Sequence, residues 1–137
     1  MASFNKFNSF TEALAEKVHN LGSDQLVVFL CAAANAPVAG NSQLSNLTQI
    51  SYTNLSSRNI TTSSSAQSSG TYKPVLADLT LTASGAVGPF RYVGIYNDTA
   101  TNDELITWYD HGSDVTLANG ETYVIDFDGT NGLFTLV

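Results

Sequence analysis

The sequence is poor in charge, and the little charge it has is unevenly placed. Only 12% of its 137 residues are charged, whereas an ordinary soluble domain has about 25%. All 5 basic residues lie at or before Arg91, eight acidic residues follow it, and the net charge is −7. So few cations cannot neutralise many phosphates, and we therefore expect no binding to nucleic acid or to anionic membrane surfaces.

Cysteine and long apolar runs are also scarce. The single cysteine, Cys31, cannot form an internal disulfide, and its place in the apolar run at 26–34 predicts a small core residue. That run is too short to span a bilayer, and residues 1–10 lack a signal-peptide pattern. We therefore expect a protein made in a cytosol, which stays there or leaves by a route other than secretion.

Catalytic motifs are missing, so we expect neither an enzyme nor a cofactor. The chain has only two histidines, His19 and His111, and no nucleophile elbow, P-loop, zinc-protease motif or Cys-x-x-Cys pair. His111 with Asp110 or Asp114 could form a metal site or a small hydrolase site, but a turn favours the same residue types for backbone reasons.

Two further carboxylates lie beside a glycine, Asp126 and Asp128 before Gly129. They faintly resemble a calcium loop, but the EF-hand spacing and its terminal glutamate are missing. We interpret them as solvated carboxylates at a sheet edge and predict no metal.

What the sequence does contain is a series of strand patterns between Val75 and Phe127. Apolar and polar residues alternate with the period of two that a half-buried strand requires. Turn residues separate the strands, with His111-Gly112-Ser113 in one connection and Asn119-Gly120, a strong hairpin signal, in another. The pattern predicts an antiparallel meander with strands at 75–82, 90–97, 104–110, 114–117 and 121–127.

The N-terminal part predicts one short helix. Ser9 and Glu12 have the spacing of a capping box, and apolar residues recur from Phe10 to Val18. We predict a helix over about 10–20, with His19 in its last turn and a stop at Gly22. Phe4 and Phe7 precede it on a polar arm, which either packs onto its own domain or docks onto a neighbour.

The middle of the chain adds further strands. Residues 25–31 are apolar on both faces, which predicts a fully buried strand. Residues 56–70 are close to low complexity and predict an exposed loop or sheet edge, part of which pairs as an edge strand. With extended runs near 50–62 and 132, about eight strands are expected. The sequence therefore predicts one all-β domain over 1–137, a two-sheet antiparallel β-sandwich, jelly-roll-like, with an arm and helix at about 1–22.

Four aromatic residues on neighbouring predicted strands could form a sugar-stacking platform or a protein-interface anchor, namely Tyr92, Tyr96, Trp108 and Tyr109. Alternation places Tyr92 and Tyr96 on one face and sets Trp108 and Tyr109 on opposite faces. At least half of the four must therefore lie in a core.

Along nearly its whole length the sequence resembles small virion structural proteins of tailed bacteriophages. The resemblance is carried by FNSFTEALAEKVHNLGSD (7–24), NLSSRNITTSSSAQSSGTYK (54–73), VLADLTLTASGAV (75–87) and FRYVGIYNDTATNDELITWYDHGSDVTLANGETY (90–123). It implies a capsid cement or decoration protein on the virion surface, made in the host cytoplasm. Its expected partners are the major capsid protein and further copies of itself, as a homodimer or homotrimer.

The contact elements are predicted from the mixed apolar and polar character of two segments, the N-terminal arm and residues 54–70. The predicted interface residues are Phe4, Phe7, Asn54, Arg58, Ile60 and Tyr72. The alternative is a receptor- or glycan-binding module of a head or tail fibre. That alternative requires side chains such as Tyr92, Tyr96 and Asn97 to converge on one exposed surface.

Overall fold

The computed structural model describes residues 4–137. The chain there is mostly β, with one α-helix, α1 (Asn8–Ala15), and two short 3₁₀ turns. The strands are β1 (Asn5–Lys6), β2 (Leu26–Cys31), β3 (Asn59–Ile60), β4 (Thr62–Ser68), β5 (Thr71–Leu76), β6 (Leu79–Thr82), β7 (Val87–Asn97), β8 (Leu105–Leu117) and β9 (Thr122–Ile125). The predicted all-β class with one short N-terminal helix is confirmed.

A five-stranded antiparallel sheet forms one layer, in the order β1-β8-β7-β2-β3. Its central strand is β7, and the neighbouring strand β2 has all six of its residues buried. Val28 and Leu30 face the main core, while Val27 and Phe29 face a second cluster on the other side of the sheet. The prediction of a strand buried on both faces is thus confirmed. The strand is buried in this way because the sheet is covered on both sides.

The second layer contains two strand pairs, β6 with β9 and β4 with β5. Leu81 and Ile125 from the first pair and Leu76 from the second reach the main core, where they meet Val28 and Ile95 of the five-stranded sheet. The bond from Ala77 N to Thr61 O, 2.9 Å, extends the β4–β5 ladder beyond the pair Thr62–Leu76. The arrangement is a two-sheet β-sandwich.

The predicted meander over 75–127 is wrong in one respect. β7 pairs with β8, but β9 pairs with β6 and not with its neighbour in sequence, β8. The pair β6–β9 therefore encloses the pair β7–β8 along the chain, and both connections cross between the layers. Such nested pairing is what folding a long hairpin over a core produces, as in a jelly roll.

Two strand boundaries also differ from the prediction. The run 75–82 is divided at Ala77-Asp78, where the Asp78 carboxylate accepts a bond from Phe127 N, 2.9 Å, so that β5 and β6 belong to different pairs. The predicted strands at 104–110 and 114–117 form one strand, β8, with a bulge in place of the turn. Between the pairs Tyr92–Asp110 and Phe90–Val115, β7 advances by two residues and β8 by five.

The helix is shorter than predicted and lacks the predicted cap. It begins after Phe7, without a side-chain cap bond, and Ser9 lies inside it. It ends at Ala15, because Lys17 adopts a left-handed φ of 68°. Val18 N then bonds to Ala13 O, 2.9 Å, and Lys17 N to Leu14 O, 3.4 Å, which is a Schellman motif. Val18, His19 and Gly22 therefore all lie beyond the helix.

Candidate functional site

The predicted metal or acid–base residues at 110–114 are occupied in holding the β8 bulge. The Asp110 carboxylate pairs with Arg91, Nε to Oδ1 2.8 Å, and also accepts from Gly112 N, 2.7 Å. The Arg91 guanidinium and the Gly112 N–H hold the pKa of Asp110 below its ordinary value. The carboxylate is thus a bulge-stabilising group and not part of a convergent ligand set.

His111 belongs to a short chain of hydrogen bonds that crosses from β8 to β9. Its Nδ1 lies 3.1 Å from the Tyr123 hydroxyl, which lies 2.8 Å from that of Tyr109. Burial raises the pKa of the Tyr109 phenol, so that this hydroxyl remains protonated and available to donate. Among residues 4–137, no group of three or more His, Cys, Asp or Glu side chains could hold a metal ion.

The other carboxylate pair also has a local role. Asp128 accepts from Thr130 N and Asn131 N, each at 2.8 Å, and closes the turn that follows β9. These backbone donors and the Asn131 amide lower the pKa of Asp128. Asp126 is exposed on the strand side of this turn. The arrangement is an Asx turn and does not form a calcium loop.

The most organised polar cluster in the described chain was missed by sequence reasoning. It is centred on Asn97, the last residue of β7, which is 0% exposed. The Asn97 Nδ2 donates to Asp24 Oδ2, 2.7 Å, and to His19 Nδ1, 3.0 Å. The Asn97 Oδ1 accepts from two backbone N–H groups at 99 and 100. Because those N–H groups can only donate, the orientation of the Asn97 amide is fixed.

His19 is held as a neutral imidazole by this cluster. Its Nδ1 must accept from Asn97, so the ring proton lies on Nε2, a buried atom with no hydrogen-bond partner among residues 4–137. The ring is 5% exposed and packs on Phe10, centroid to centroid 5.4 Å. Burial lowers the pKa of His19, and the nearby carboxylates of Glu104 and Asp24 only partly oppose it.

A groove of about 1090 Å³, with both polar and apolar residues in its lining, lies beside this cluster. Its walls are the end of α1 with the following loop, the 99–104 loop, and Ser65 and Tyr72 of the β4–β5 hairpin. The Asp24 carboxylate also accepts from Asn20 N, 2.8 Å, so it serves the loop as well as Asn97. The cluster therefore fastens three segments together at one end of the sandwich.

The aromatic residues do not form an exposed platform. Tyr92, Tyr96 and Trp108 belong to or pack on the second cluster, and Tyr109 lies in the main core on the other face. The face assignments made from the alternation are therefore confirmed. Tyr96 is 5% exposed and the Asn97 amide is buried, so the convergent surface that glycan binding would need is not formed by these residues.

The N-terminal arm packs onto its own domain. Phe7 is fully buried, 4.4 Å from Trp108 between ring centroids, and Phe4 packs edge-on against Tyr109 at 5.2 Å. Asn5 and Lys6 pair with β8 as strand β1. Of the two alternatives for the arm, the structure shows the one in which it covers its own core. Phe7 is therefore inaccessible to a partner in this conformation.

Most of the predicted interface residues at 54–72 have internal roles. Ile60 is 4% exposed and lies in the main core. The Arg58 guanidinium stacks on Tyr52 at 3.6 Å from the ring centroid and donates to Val28 O. Burial raises the pKa of Tyr52 to about 12, and its hydroxyl donates to Gln49 and accepts from Leu30 N. Arg58 and Tyr52 together brace the edge of β2.

Asn54 and Tyr72 are also engaged. Asn54 adopts a positive φ of 69°, and its carbonyl accepts from Ser84 N, 2.8 Å. The Tyr72 hydroxyl lies 2.9 Å from Ser65 Oγ, across the β4–β5 hairpin. Asn54 remains exposed and Tyr72 half-buried. By contrast, residues 63–68 of β4 are exposed throughout, as predicted for an edge strand.

No model of a known protein family, no curated protein and no solved structure matches this chain. Within residues 4–137, no helix has the length and apolar character needed to cross a membrane.

Proposed function

We propose that this protein is a phage virion structural protein, a decoration protein that binds the outer surface of the major capsid protein and stabilises the head. The sequence resemblance over most of the chain supports this assignment. The observation that carries it is a contrast between polar side chains that hold the fold together and polar side chains that are exposed. The polar side chains that resemble a catalytic or metal set serve the fold, whereas residues 63–68 of the hydroxyl-rich strand β4 are exposed.

The physical character of the molecule suits static display on a particle. A sandwich covered on both faces of its main sheet is rigid, and most of its acidic residues lie in the second half of the chain. An acidic exterior disfavours adhesion to nucleic acid in the infected cell. The hairpin segment 59–72 carries no charged residue, so it can approach another protein without electrostatic repulsion.

The direct test is co-sedimentation with capsids that lack the protein. We expect saturation at a fixed ratio to the capsid protein and a higher melting temperature of the decorated capsids. The double substitution Ser64→Lys with Ser68→Lys, on the exposed hairpin, is expected to weaken binding. Asn35→Lys, an exposed position outside the hairpin, is the matched control.

Deletion of residues 1–8 is not a suitable test, because it would remove the buried Phe7 and strand β1. A folded protein that does not co-sediment with capsids at any concentration would overturn the proposal. Equal loss of binding in the Asn35→Lys control would overturn the assignment of the hairpin as the contact element.

A further inference from the structure

Among residues 4–137, the outer edge of β4 has no strand partner along its seven residues. β4 pairs with β5 on one side only. The edge strands of the five-stranded sheet, β1 and β3, have two residues each, and β6 and β9 have four each. The outer edge of β5 is covered by the C-terminal segment, where Tyr72 bridges to Leu136.

The backbone groups that point outward from β4 can be identified. Tyr72 N donates to Leu136 O, 2.8 Å, Tyr72 O accepts from Leu136 N, 3.0 Å, and Pro74 O accepts from Leu133 N, 2.9 Å. Both backbone groups of Tyr72 and the C=O of Pro74 therefore point away from β4. Their cross-strand partners are Gln67 and Ser65. In an antiparallel ladder such pairs share no bonds, so the backbone groups of Ser65 and Gln67 also point away from β5.

This edge lacks the protection that edge strands normally have. Soluble proteins block exposed edges with Lys, Pro, bulges or very short strands. β4 contains neither a charged residue nor proline, and its single bulge, between Thr62 and Ser64, leaves residues 64–68 regular. Ser69 and Gly70, which close the hairpin, both have positive φ, as a tight two-residue turn requires, so the edge is rigidly presented.

We propose that the β4 edge pairs with the same edge of a second copy, in antiparallel orientation about a two-fold axis through Ala66. In this register Ser65 of one copy exchanges backbone hydrogen bonds with Gln67 of the other, and β5-β4-β4-β5 becomes one continuous sheet. Ala66 of one copy lies opposite Ala66 of the other, in a pair that shares no backbone hydrogen bonds. The two strands lie closest at such a pair, so a small side chain fits best. The contact closes at two copies, so it predicts a dimer and not a trimer.

The charge distribution favours a second copy as the occupant. Each chain has a net charge of −7, so two copies repel one another over most of their surfaces. The uncharged segment 59–72 is where that repulsion is smallest. The edge is also self-complementary, because a strand edge that presents Ser65 and Gln67 matches its own copy by symmetry. This inference does not depend on capsid binding.

A cysteine cross-link tests the register directly. In the proposed dimer the two Ala66 Cα atoms lie about 4.5 Å apart, at the short end of the range of about 4.4–6.8 Å that a disulfide accepts. We expect Ala66→Cys to give a covalent dimer under mild oxidation. Ser68→Cys, two residues along the same exposed strand, is expected to form no covalent dimer because residue 68 lies opposite residue 64 of the other copy. The native Cys31 is fully buried and does not compete.

A proline substitution tests the hydrogen bonds. Ser65→Pro removes an outward N–H and leaves the β4–β5 ladder intact, since proline is tolerated where the N–H faces away from the sheet. Ser65→Ala is the matched control, because it removes the bond to the Tyr72 hydroxyl but keeps the N–H. The edge contact is small, so sedimentation should run from micromolar to millimolar concentration.

We expect concentration-dependent dimers for the wild type and Ser65→Ala, and at least a tenfold weaker dimer for Ser65→Pro. Monomers at every concentration, a trimer, or equal cross-linking of Ala66→Cys and Ser68→Cys would each overturn the proposal. So would a monomer in solution that loses capsid binding on Ser65→Pro, because that result would assign the edge to the capsid protein. The melting temperature of Ser65→Pro, compared with Ser65→Ala, reports whether the variant is folded.

Discussion

Asn97 is the residue that joins the most segments through its side chain. Its amide bonds to two side chains and two backbone N–H groups while fully buried. Alanine would leave both backbone donors and the Asp24 carboxylate short of a partner. We therefore expect Asn97→Ala to lower the free energy of unfolding by about 2–4 kcal/mol, measured by urea denaturation.

Asn35 supplies the control for this prediction because it is exposed. Asn35→Ala should change the free energy of unfolding by no more than about 0.5 kcal/mol. A cost below about 1 kcal/mol for Asn97→Ala would contradict the assigned role, since even one unsatisfied buried group costs about that much.

His19 makes stability depend on pH. Burial lowers its pKa in the folded state below the ordinary 6.5, so the unfolded chain takes up the proton first. The contribution of the neutral ring is complete above pH 6.5 and is lost as the pH falls from 6.5 towards the folded-state pKa. Protonation would also place a hydrogen on His19 Nδ1. This N–H and the Asn97 Nδ2–H would then be two donors facing each other.

We expect the free energy of unfolding of the wild type to fall between about pH 7 and pH 5. His19→Gln, which cannot take up a proton in this range, should show a smaller slope. Unfolding by urea at a series of pH values measures both. Asn35→Gln, at an exposed residue that does not take up a proton, is the control for the substitution itself. An equal slope in wild type and His19→Gln would contradict the role given to His19.

Lys17 ends α1 in a conformation that suits glycine. Its φ of 68° lies in the left-handed region, which costs a residue with a Cβ about 1–2 kcal/mol. Glycine removes that cost but gains entropy in the unfolded chain, so we expect Lys17→Gly to stabilise by about 0.5–1 kcal/mol. Lys17→Ala keeps a Cβ and should give no such gain. Thermal melting of both variants would detect the difference, and equal melting temperatures would contradict it.

These residues also show where sequence reasoning stops. The Ser9–Glu12 spacing is a local signal, but the helix start is fixed by the burial of Phe7 against Trp108, about a hundred positions away in the chain. His19 and Asn97 are 78 residues apart, and nothing local marks either as part of a cluster. The one local signal is an asparagine at the end of a predicted strand, and asparagine occurs at the start of many turns for backbone reasons alone.

At the scale of elements, the pairing of β2 with β7 depends on one glycine. Phe29 lies opposite Gly94, and its ring covers that glycine so tightly that an added Cβ would lie 2.0 Å from the Phe29 Cζ. Gly94 is therefore required by packing and not by its backbone conformation. We expect Gly94→Ala to destabilise by about 3 kcal/mol or more, read from the urea midpoint.

Gly40 is the matched control, since an added Cβ there meets no atom within 4 Å. Gly40→Ala should be nearly neutral. Replacing Phe29 with leucine in the Gly94→Ala background should recover part of the loss, because the two positions share one volume. Additive effects of the two substitutions would count against the direct contact.

The pairing of elements could be predicted only in part. The existence of most strands follows from the alternation of apolar residues, and the turn around Asn119-Gly120 does form, with Glu121 N bonded to Ala118 O at 3.0 Å. The turn signal does not determine which sheet the next strand joins. Here β9 crosses to β6 because Ile125 belongs in the main core between the layers. The fold class was therefore predictable and the connectivity was not.

At the scale of the whole molecule, the excess of negative charge governs how copies approach one another. At about 10 mM salt the screening length is about 30 Å, longer than the separation of facing surfaces, and at about 150 mM it is about 8 Å. Two chains of net charge −7 therefore repel strongly only in the first condition. A contact through the uncharged β4 edge gains nothing from charge attraction that salt could weaken.

We therefore expect the dimer to become several-fold tighter when the salt concentration rises from about 10 to about 150 mM. Sedimentation at fixed protein concentration measures the change. Ion-paired interfaces behave oppositely, because screening weakens attraction between unlike charges. A dimer that loosens with salt would thus place the contact on one of the charged faces. A dimer that tightens with salt, and that Ser65→Pro removes, requires both an uncharged contact and the outward N–H of β4.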